Sequence, residues 1–258
     1  MPVLQRQIIG ALLLALVCMT LQAQPLRIVS EAWPPYIYEV DGELRGLDYE
    51  TTQVVLERLG IQTTWELMPW KRCLLSVQQG KADALLDVFH STARNTWMVF
   101  PEEPLSTVEF VLFYHRENPH RFQKIEDLTG LTVGVSAGYL YANPAFRNSP
   151  LFKREPAASH EANFGKLLRQ RVDLVINDRR SGRYLLEQLG MSQVIAHHPS
   201  VIARTPMYLG LSRSPRHQQL ARRFASALRQ FKREPAYTAL RARYAHPDTS
   251  VEMATSNR

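Results

Sequence analysis

Short apolar runs alternate along this chain with segments whose apolar residues recur at helical spacing. Runs typical of buried strands lie at 26–30, 61–67, 83–88, 131–135, 172–176 and 207–212. Helical spacing, closed in three cases by a glycine, predicts helices at 48–59, 70–79, 160–170 and 181–189. This alternation favours an α/β architecture with largely parallel sheets.

A further amphipathic helix is predicted at 221–231, with Phe224, Leu228 and Phe231 on one side and several arginines on the other. The chain carries a net charge of +7, much of it in this C-terminal part. A basic helix can bind nucleic acid or an anionic membrane. No aromatic-interleaved nucleic-acid motif accompanies it, so we expect a docked terminal helix with a solvated basic face and no nucleic-acid partner.

The first 23 residues have the pattern of a secretory signal peptide. Arg6 precedes an apolar run at 8–17, which is too short to span a bilayer, and Ala23 is a small residue suited to cleavage. We therefore expect export to the periplasm. Cys18 suggests lipidation as an alternative, but Val17 before it is bulkier than such processing favours. Cleavage leaves Cys73 alone, so no intramolecular disulfide is possible, and its helical spacing with apolar neighbours predicts that it is buried.

Two predicted strands end in groups of opposite charge. The strand near 83–88 leads into a polar turn ending at Arg94, and the strand at 172–176 is followed by Asp178. Ligands of open α/β sheets bind beyond the carboxyl ends of the strands. A guanidinium and a carboxylate at two such ends predict a clamp for a small zwitterion, which favours binding over catalysis.

Rigid aromatic residues accompany these strand ends. Trp33 and Tyr36 flank two prolines, and Trp70 follows Pro69. Such side chains either form the walls of a ligand site or fill a lobe core. The glycine-rich turn at 134–138, which contains Ser136 and Gly138, is suited to cradle an anion with its backbone N–H groups.

The same turn, Gly134-Val135-Ser136-Ala137-Gly138, also matches the nucleophile elbow of serine esterases. Asp178 and then His197 or His198 would complete the order Ser, Asp, His. Pro144 interrupts the helix that an elbow requires, and no His-Gly-Gly loop is present, so the esterase is the weaker hypothesis. No histidines or cysteines show the spacing of metal ligands. We expect neither a metal nor a cofactor.

Several of these segments together resemble the bacterial extracellular solute-binding proteins of the polar amino acid type, which serve ABC transporters. The resemblance spans residues 26 to about 244. It rests on Trp33-Pro34-Pro35-Tyr36, Gly46-Leu47-Asp48, Gly80-Lys81-Ala82-Asp83, Ser91-Thr92-Ala93-Arg94 before Phe100-Pro101, Asp127-Leu128-Thr129-Gly130-Leu131-Thr132-Val133-Gly134-Val135 with Ser136-Ala137-Gly138, and Val172-Asp173-Leu174-Val175-Ile176-Asn177-Asp178.

The resemblance implies a two-lobed, periplasmic-binding-protein-like (type II) α/β fold with two crossover strands. Lobe 1 would comprise 24–113 and 205–248, lobe 2 would comprise 114–204, and 249–258 would form a flexible tail. Arg94 would hold a ligand carboxylate and Asp178 an α-amino group, beside the loop that ends at Tyr139. A monomeric, non-enzymatic binding protein is implied, which delivers a small-molecule ligand to an ABC transporter permease or a membrane sensor.

The sequence departs from this family at three places near the predicted cleft. Phe89 replaces a small or hydroxyl residue, Asp87 replaces a small one, and Arg72 adds a cation. Asp87 with Asp178 suits a cationic ligand group, and Arg72 with Arg94 suits a second anionic one. The complete set of candidate ligand-binding residues is Trp33, Tyr36, Trp70, Arg72, Asp87, His90, Ser91, Arg94, Ser136, Gly138, Tyr139 and Asp178.

An exported enzyme on the same scaffold is the principal alternative. Cyclohexadienyl dehydratases share the two-lobed fold and need a general acid or base in the cleft. Glu31, Asp87 and His90 are the candidates for that role, because burial can adjust the pKa of such groups.

Overall fold

The computed structural model of the protein describes residues 24–245. The predicted signal peptide and the predicted C-terminal tail lie outside the described residues. Within 24–245, no helix has both the length and the apolar character needed to cross a membrane.

The secondary structure alternates strands and helices, as the sequence predicts. The first half of the chain forms β1 (Leu26–Ser30), β2 (Tyr38–Val40), β3 (Glu43–Arg45), α1 (Leu47–Arg58), β4 (Thr63–Leu67), α2 (Trp70–Gln78), β5 (Ala84–Val88), β6 (Met98–Val99) and β7 (Ser106–His115). The second half forms β8 (Thr132–Ser136), α3 (Pro144–Asn148), β9 (Lys153–Ala157), α4 (His160–Leu168), β10 (Leu174–Asp178), α5 (Arg179–Gln188), β11 (Ile195–Ser212), α6 (Pro215–Phe231) and α7 (Pro235–Arg243).

Two sheets share the long strand β11. The first sheet has the order β4-β1-β5-β11, in which β1, β4 and β5 are parallel and β6 pairs with the end of β11. The second has the order β11-β7-β10-β8-β9, in which β8, β9 and β10 are parallel. The mixed α/β architecture with two lobes is therefore confirmed.

Strands β7 and β11 form the connection between the lobes. They pair antiparallel from Ser106 opposite Met207 to His115 opposite Ile195. Beyond this ladder, β11 continues into the first sheet, where Tyr208 lies opposite Val88. The predicted lobe boundaries at 113 and 204 remain a prediction. The pairing of Phe110 with Asp178 favours a boundary a few residues earlier on β7.

The strands β5 and β10 are each covered on both faces, which explains their continuous apolar runs. Every residue of β5 and of β10 is buried. On one side of the first sheet, α1, α6 and α7 contribute to one apolar core, and on the other side α2 contributes to a second. The basic helix docks as predicted, with Phe224, Leu228 and Phe231 buried.

Cys73 lies in the core beneath α2 and is completely buried. Burial raises the pKa of its thiol to about 12, so the thiolate nucleophile is strongly disfavoured. The predicted role of Cys73 as a small apolar side chain is confirmed.

Candidate functional site

A small cavity, of about 20 Å³, lies where the two lobes meet. Its walls come from the carboxyl ends of β1 and β5, the start of α2, the crossover strands and the loop after β8, which is where ligands of α/β sheets bind. The lining residues are Ser30, Glu31, Trp33, Trp70, Asp87, Phe89, Phe110, Tyr139, Tyr141 and Met207. The cavity is thus mainly aromatic and contains two carboxyl groups.

Arg94 lies directly behind the part of the cavity wall that Phe89 and Trp70 form. Its guanidinium donates to the carbonyl of Phe89 (Nη1 to O, 3.0 Å) and stacks on the rings of Phe89 and Trp70, with its carbon 4.4 and 5.6 Å from their centroids. Only 4% of the residue is exposed, and burial lowers its pKa to about 10. No carboxylate among the described residues forms an ion pair with it. Arg94 is therefore a desolvated cation without a counter-charge.

Asp178 is also buried, but its carboxylate already has several donors. Oδ1 accepts hydrogen bonds from the Tyr36 hydroxyl (3.0 Å) and the Ser181 amide (2.9 Å), and Oδ2 accepts one from the Glu109 amide (3.0 Å). Burial raises the pKa of Asp178, and these hydrogen bonds oppose the rise. Asp178 caps α5 and, through Tyr36, joins the two lobes.

No direct contact connects Arg94 with Asp178, and neither side chain lines the cavity. Arg94 lies behind Phe89 and Trp70. Asp178 binds the hydroxyl of Tyr36, whose ring packs on Trp33 (centroids 4.8 Å apart). The predicted clamp between the two charges therefore remains a prediction.

Asp87 brings a second buried carboxyl group to the cavity. Its backbone adopts a left-handed conformation (φ 56°) at the end of β5. Burial, followed by repulsion from Asp48, a hydrogen bond with Asp48 and repulsion from Asp178, holds the pKa of Asp87 well above the usual range, so that Asp87 keeps its proton and donates it to Asp48. Asp48, in the first turn of α1, is buried beside it and accepts a hydrogen bond from Ser106.

A chain of hydrogen bonds crosses from the first lobe to the second. The Tyr139 hydroxyl donates to Glu31 (Oη to Oε2, 3.0 Å) and lies 3.2 Å from His160 Nε2, while His160 Nδ1 lies 3.3 Å from Ser136 Oγ. Because Tyr139 donates its single proton to Glu31, its oxygen accepts from Nε2, and Nδ1 then accepts from Ser136. This order requires a neutral imidazole, and burial lowers the pKa of His160 to about 4.

The geometry contradicts the serine triad proposed from the sequence. The hydroxyl of Ser136 contacts His160, whereas His197 and His198 pack against Phe113 and Tyr114 respectively. Asp178 contacts none of these histidines. The G-x-S-x-G pattern reflects instead a tight turn in which Gly138 has a φ of 85°.

A second and larger cavity, of about 170 Å³, lies on the other side of a wall formed by Glu31, Trp70 and Tyr139. Its lining residues are Glu31, Pro69, Trp70, Lys71, Ser136, Ala137, Tyr139, Ala158, Ser159 and His160. It places the N-terminus of α4, from the second lobe, opposite the start of α2, from the first.

The two cavities contain five of the predicted ligand residues, namely Trp33, Trp70, Asp87, Ser136 and Tyr139. The other seven line neither cavity: three of them, Tyr36, Arg94 and Asp178, are described above, and four lie elsewhere. Arg72 and His90 are exposed, and the ring of His90 packs on Phe100. Ser91 accepts a hydrogen bond from the amide of Arg94 (3.3 Å), and Gly138 contacts α2 rather than lining either cavity.

Sequence reasoning did not assign a ligand role to several lining residues. His160 is the clearest case, because it reads as the first residue of a predicted helix and gives no separate signal. Glu31 was considered only as a catalytic group. Among the described residues, no cluster of three or more histidine, cysteine or acidic side chains is arranged to hold a metal ion.

Comparison with known proteins relates this arrangement to one family. The family model of the bacterial extracellular solute-binding proteins, family 3, matches residues 26–247. The search of curated proteins finds no match.

Three solved structures illustrate the similarity of the fold. The amino acid ABC transporter substrate-binding protein AbpA from Streptococcus pneumoniae, bound to L-arginine, is 19% identical, with 84% of this chain and 92% of that chain covered and a TM-score of 0.72. A histidine kinase sensor domain similar to periplasmic binding proteins is 19% identical (86% and 96% covered, TM-score 0.74). The ancestral amino acid-binding protein AncCDT-1, a precursor of cyclohexadienyl dehydratase, is 19% identical (85% and 94% covered, TM-score 0.70).

Proposed function

Because the chain belongs to the bacterial extracellular solute-binding proteins of family 3, we propose that it captures a small zwitterionic solute, similar to an amino acid, between its two lobes. The protein acts in the periplasm as a monomer and presents the bound solute to an ABC transporter or to a membrane sensor. Both outcomes are represented among proteins of this fold, by AbpA and by the histidine kinase sensor domain.

The buried guanidinium of Arg94 is the observation that carries this proposal. A charge removed from water without a partner is costly, and an incoming carboxylate offsets that cost by pairing with it. The planar guanidinium offers two parallel N–H donors to a carboxylate, which an ammonium cannot do. The α-carboxylate of the solute binds at this position once the rings of Phe89 and Trp70, which separate Arg94 from the cavity, move apart.

The acidic side of the cavity receives the cationic end of the solute. Asp48 and Asp178 increase the negative potential around Asp87, whose carboxyl group is protonated and donates to Asp48 in the ligand-free protein. An ammonium group placed beside Asp87 stabilises its ionised form. The aromatic side chains of Trp33, Trp70 and Tyr139 surround the remainder of the solute and favour a cation near their faces.

Contacts between the lobes support capture by closure. Tyr36 and Glu31 of the first lobe bind Asp178 and Tyr139 of the second, at 3.0 Å each. The ring of Trp70 also packs against Tyr139, with centroids 5.6 Å apart. Opening the cleft breaks these contacts, and a bound solute stabilises the closed form by bridging the same two lobes.

A thermal-shift screen of amino acids, small peptides, polyamines and organic acids tests the proposal. A ligand at a hundred times its dissociation constant stabilises the protein by about 2.7 kcal/mol, which is readily detected. Calorimetry with the best ligand then compares the wild type with Arg94→Lys. We expect Arg94→Lys to bind at least about ten-fold more weakly, because it keeps the charge but loses the bidentate contact. Unchanged affinity would exclude the carboxylate role of Arg94.

A dehydratase on the same scaffold is the second candidate. Glu31 and Asp87 favour it, since both line the cavity and burial raises the pKa of each, as a general acid requires. Incubation of the purified protein with prephenate and arogenate, followed by product analysis, decides between the two. Turnover that disappears in Asp87→Asn or Glu31→Gln would establish the enzyme.

A further inference from the structure

The second cavity supplies hydrogen-bond donors that no contact within the protein uses. The indole N–H of Trp70 is one of them: Trp70 is 7% exposed, and its Nε1 has no partner among the described residues. Trp70 forms part of the wall between the two cavities, so this N–H lies at their common boundary. A Cβ atom built on Gly138 would lie 3.5 Å from Trp70 Cδ1, the carbon bonded to Nε1, and Gly138 stands between two residues that line the second cavity.

The N-terminus of α4 adds further donors. The first N–H groups of a helix have no intrahelical acceptor. The side chain of Ser159 satisfies the N–H of Ala162 (3.2 Å), and its carbonyl satisfies that of Asn163 (3.1 Å). This capping leaves the N–H groups of His160 and Glu161 in the first turn, where the helix dipole favours an anion.

Lys71 supplies a positive charge at the mouth of the same cavity. It is exposed, lines the cavity, and forms no ion pair with any acid that the structure describes. Its stem passes close to Gly138, with Cγ 3.3 Å from a Cβ built there. The stem of Lys71 therefore lies along the turn at Gly138, beside the cavity.

The acceptors in the cavity, in contrast, are occupied. The carboxylate of Glu31 accepts hydrogen bonds from the Tyr139 hydroxyl and the Trp70 amide, and burial raises its pKa. The nitrogens of His160 contact Ser136 and Tyr139. Glu161, on the first turn of α4, is exposed to solvent. The unused groups are donors and a cation, so the cavity is complementary to an anion.

We propose that the second cavity binds a distal anionic group, a carboxylate or a phosphate, of the solute whose zwitterionic head occupies the first cavity. This inference rests on the proposed function and narrows it to acidic amino-acid-like solutes. Trp70 and Tyr139 line both cavities, so a side chain extending from the head passes along their rings to reach Lys71 and α4. The charge that the sequence suggested for this role, Arg72, lines neither cavity.

Isothermal titration calorimetry with matched probes tests the inference. The probes are L-glutamate with L-glutamine, and O-phospho-L-serine with L-serine, so that each pair differs in the distal charge. We compare the wild type with Lys71→Gln and Trp70→Phe, which remove the ammonium and the indole N–H. Lys81→Gln is the control, because it removes an exposed charge beyond the end of α2 and outside both cavities.

In the wild type and in Lys81→Gln, we expect the acidic member of at least one pair to bind about ten-fold more tightly than the neutral member, as a charge-assisted hydrogen bond provides. Lys71→Gln lowers this ratio about three-fold, and Trp70→Phe lowers it further. The ratio cancels effects on head binding that both probes share. A preference for the phosphate identifies a phosphorylated solute, and a preference for glutamate identifies a carboxylate.

Equal affinity within each pair, or a preference that survives both substitutions, overturns the inference. It is also overturned if none of the four probes binds. The proposed function fails separately, when no amino-acid-like solute of any charge binds in a manner that depends on Arg94.

Discussion

The guanidinium of Arg94, which is buried without a counter-charge, predicts that removing its charge abolishes ligand binding while leaving the stability of the ligand-free protein nearly unchanged. Arg94→Met is the suitable change, because methionine keeps an unbranched apolar stem between the rings of Phe89 and Trp70. A pKa of about 10 is more than two units below that of a free arginine, and one unit corresponds to about 1.4 kcal/mol. Keeping the guanidinium charged therefore costs about 3 kcal/mol.

Most of this gain is lost with the guanidinium. Its stacking on two rings contributes about 2 kcal/mol, because the cation is desolvated, and its charge-assisted hydrogen bond to the Phe89 carbonyl contributes about 1.5 kcal/mol. The expected net change in stability for Arg94→Met is therefore within about 1 kcal/mol of zero. For a chain of this length, that corresponds to a change in Tm of at most about 4 °C.

Differential scanning calorimetry with and without the best ligand of the screen measures both effects. Arg222→Met is the control, since Arg222 is exposed on α6 and its replacement should change stability by less than about 0.5 kcal/mol. We expect Arg94→Met to have a Tm within about 4 °C of the wild type and no ligand-induced shift. A Tm lower by much more than this, or a ligand-induced shift of normal size, refutes the reasoning.

Three further predictions follow from the buried titratable groups and from the exposed cation. Asp87→Asn, which tolerates the left-handed backbone, should stabilise the ligand-free protein at pH 7. The native state of the wild type keeps a proton on Asp87 that the unfolded chain loses above about pH 4, so its stability falls as the pH rises through the raised pKa. Urea unfolding between pH 4.5 and 8 should show that the free energy of unfolding falls less steeply with pH in Asp87→Asn than in the wild type. Identical slopes for the two proteins contradict this prediction. His160 acts with the opposite sign: its folded pKa of about 4 lies below the ordinary value, so stability falls as the pH drops below about 6.5. The loss in the free energy of unfolding between pH 6.5 and pH 5 should be smaller in His160→Gln than in the wild type, by up to about 2 kcal/mol. If the two proteins lose the same amount, the imidazole of His160 is protonated in the folded state. Arg72→Gln should bind the solute within about two-fold of the wild type, because Arg72 is exposed outside both cavities; a ten-fold loss in calorimetry restores the role that the sequence suggested.

The sequence predicts the lobe cores well because their signals are local. The apolar runs at 83–88 and 172–176 correspond closely to β5 and β10, whose residues are buried on both faces. Four predicted helices agree with the observed ones to within one or two residues at each end. The prolines beside Trp33 and Trp70 correctly mark rigid aromatic residues that line the cavity.

The crossover strand β11 was predicted only at 207–212, although it begins at Ile195. Pro199, Pro206 and two histidines interrupt the alternation that identifies a strand. The backbone accommodates these residues through register irregularities between His197 and Val201 and between Val201 and Ala203. Long-range pairing with β7 therefore stabilises a strand whose local sequence gives little indication of it.

The hydrogen-bond chain from Glu31 to Ser136 is not predictable from sequence. Its four members come from the end of β1, the end of β8, the loop after β8 and the start of α4. The most distant pair, Glu31 and His160, is 129 residues apart in the sequence. Closure of the two lobes brings them together, and no periodic pattern records it. Lys71 lines the second cavity and Arg72 does not, because adjacent residues on a helix point in different directions. The sequence alone does not indicate which of the two faces the cleft.

A crystal structure of the protein with its tightest-binding amino-acid-like solute tests the central claim most directly. We expect both oxygens of the solute carboxylate to accept hydrogen bonds from the guanidinium of Arg94, with the ammonium group beside Asp87 and the two lobes in contact around them. A solute bound elsewhere, or one bound in the cleft with Arg94 still directed only to the Phe89 carbonyl, would contradict the account.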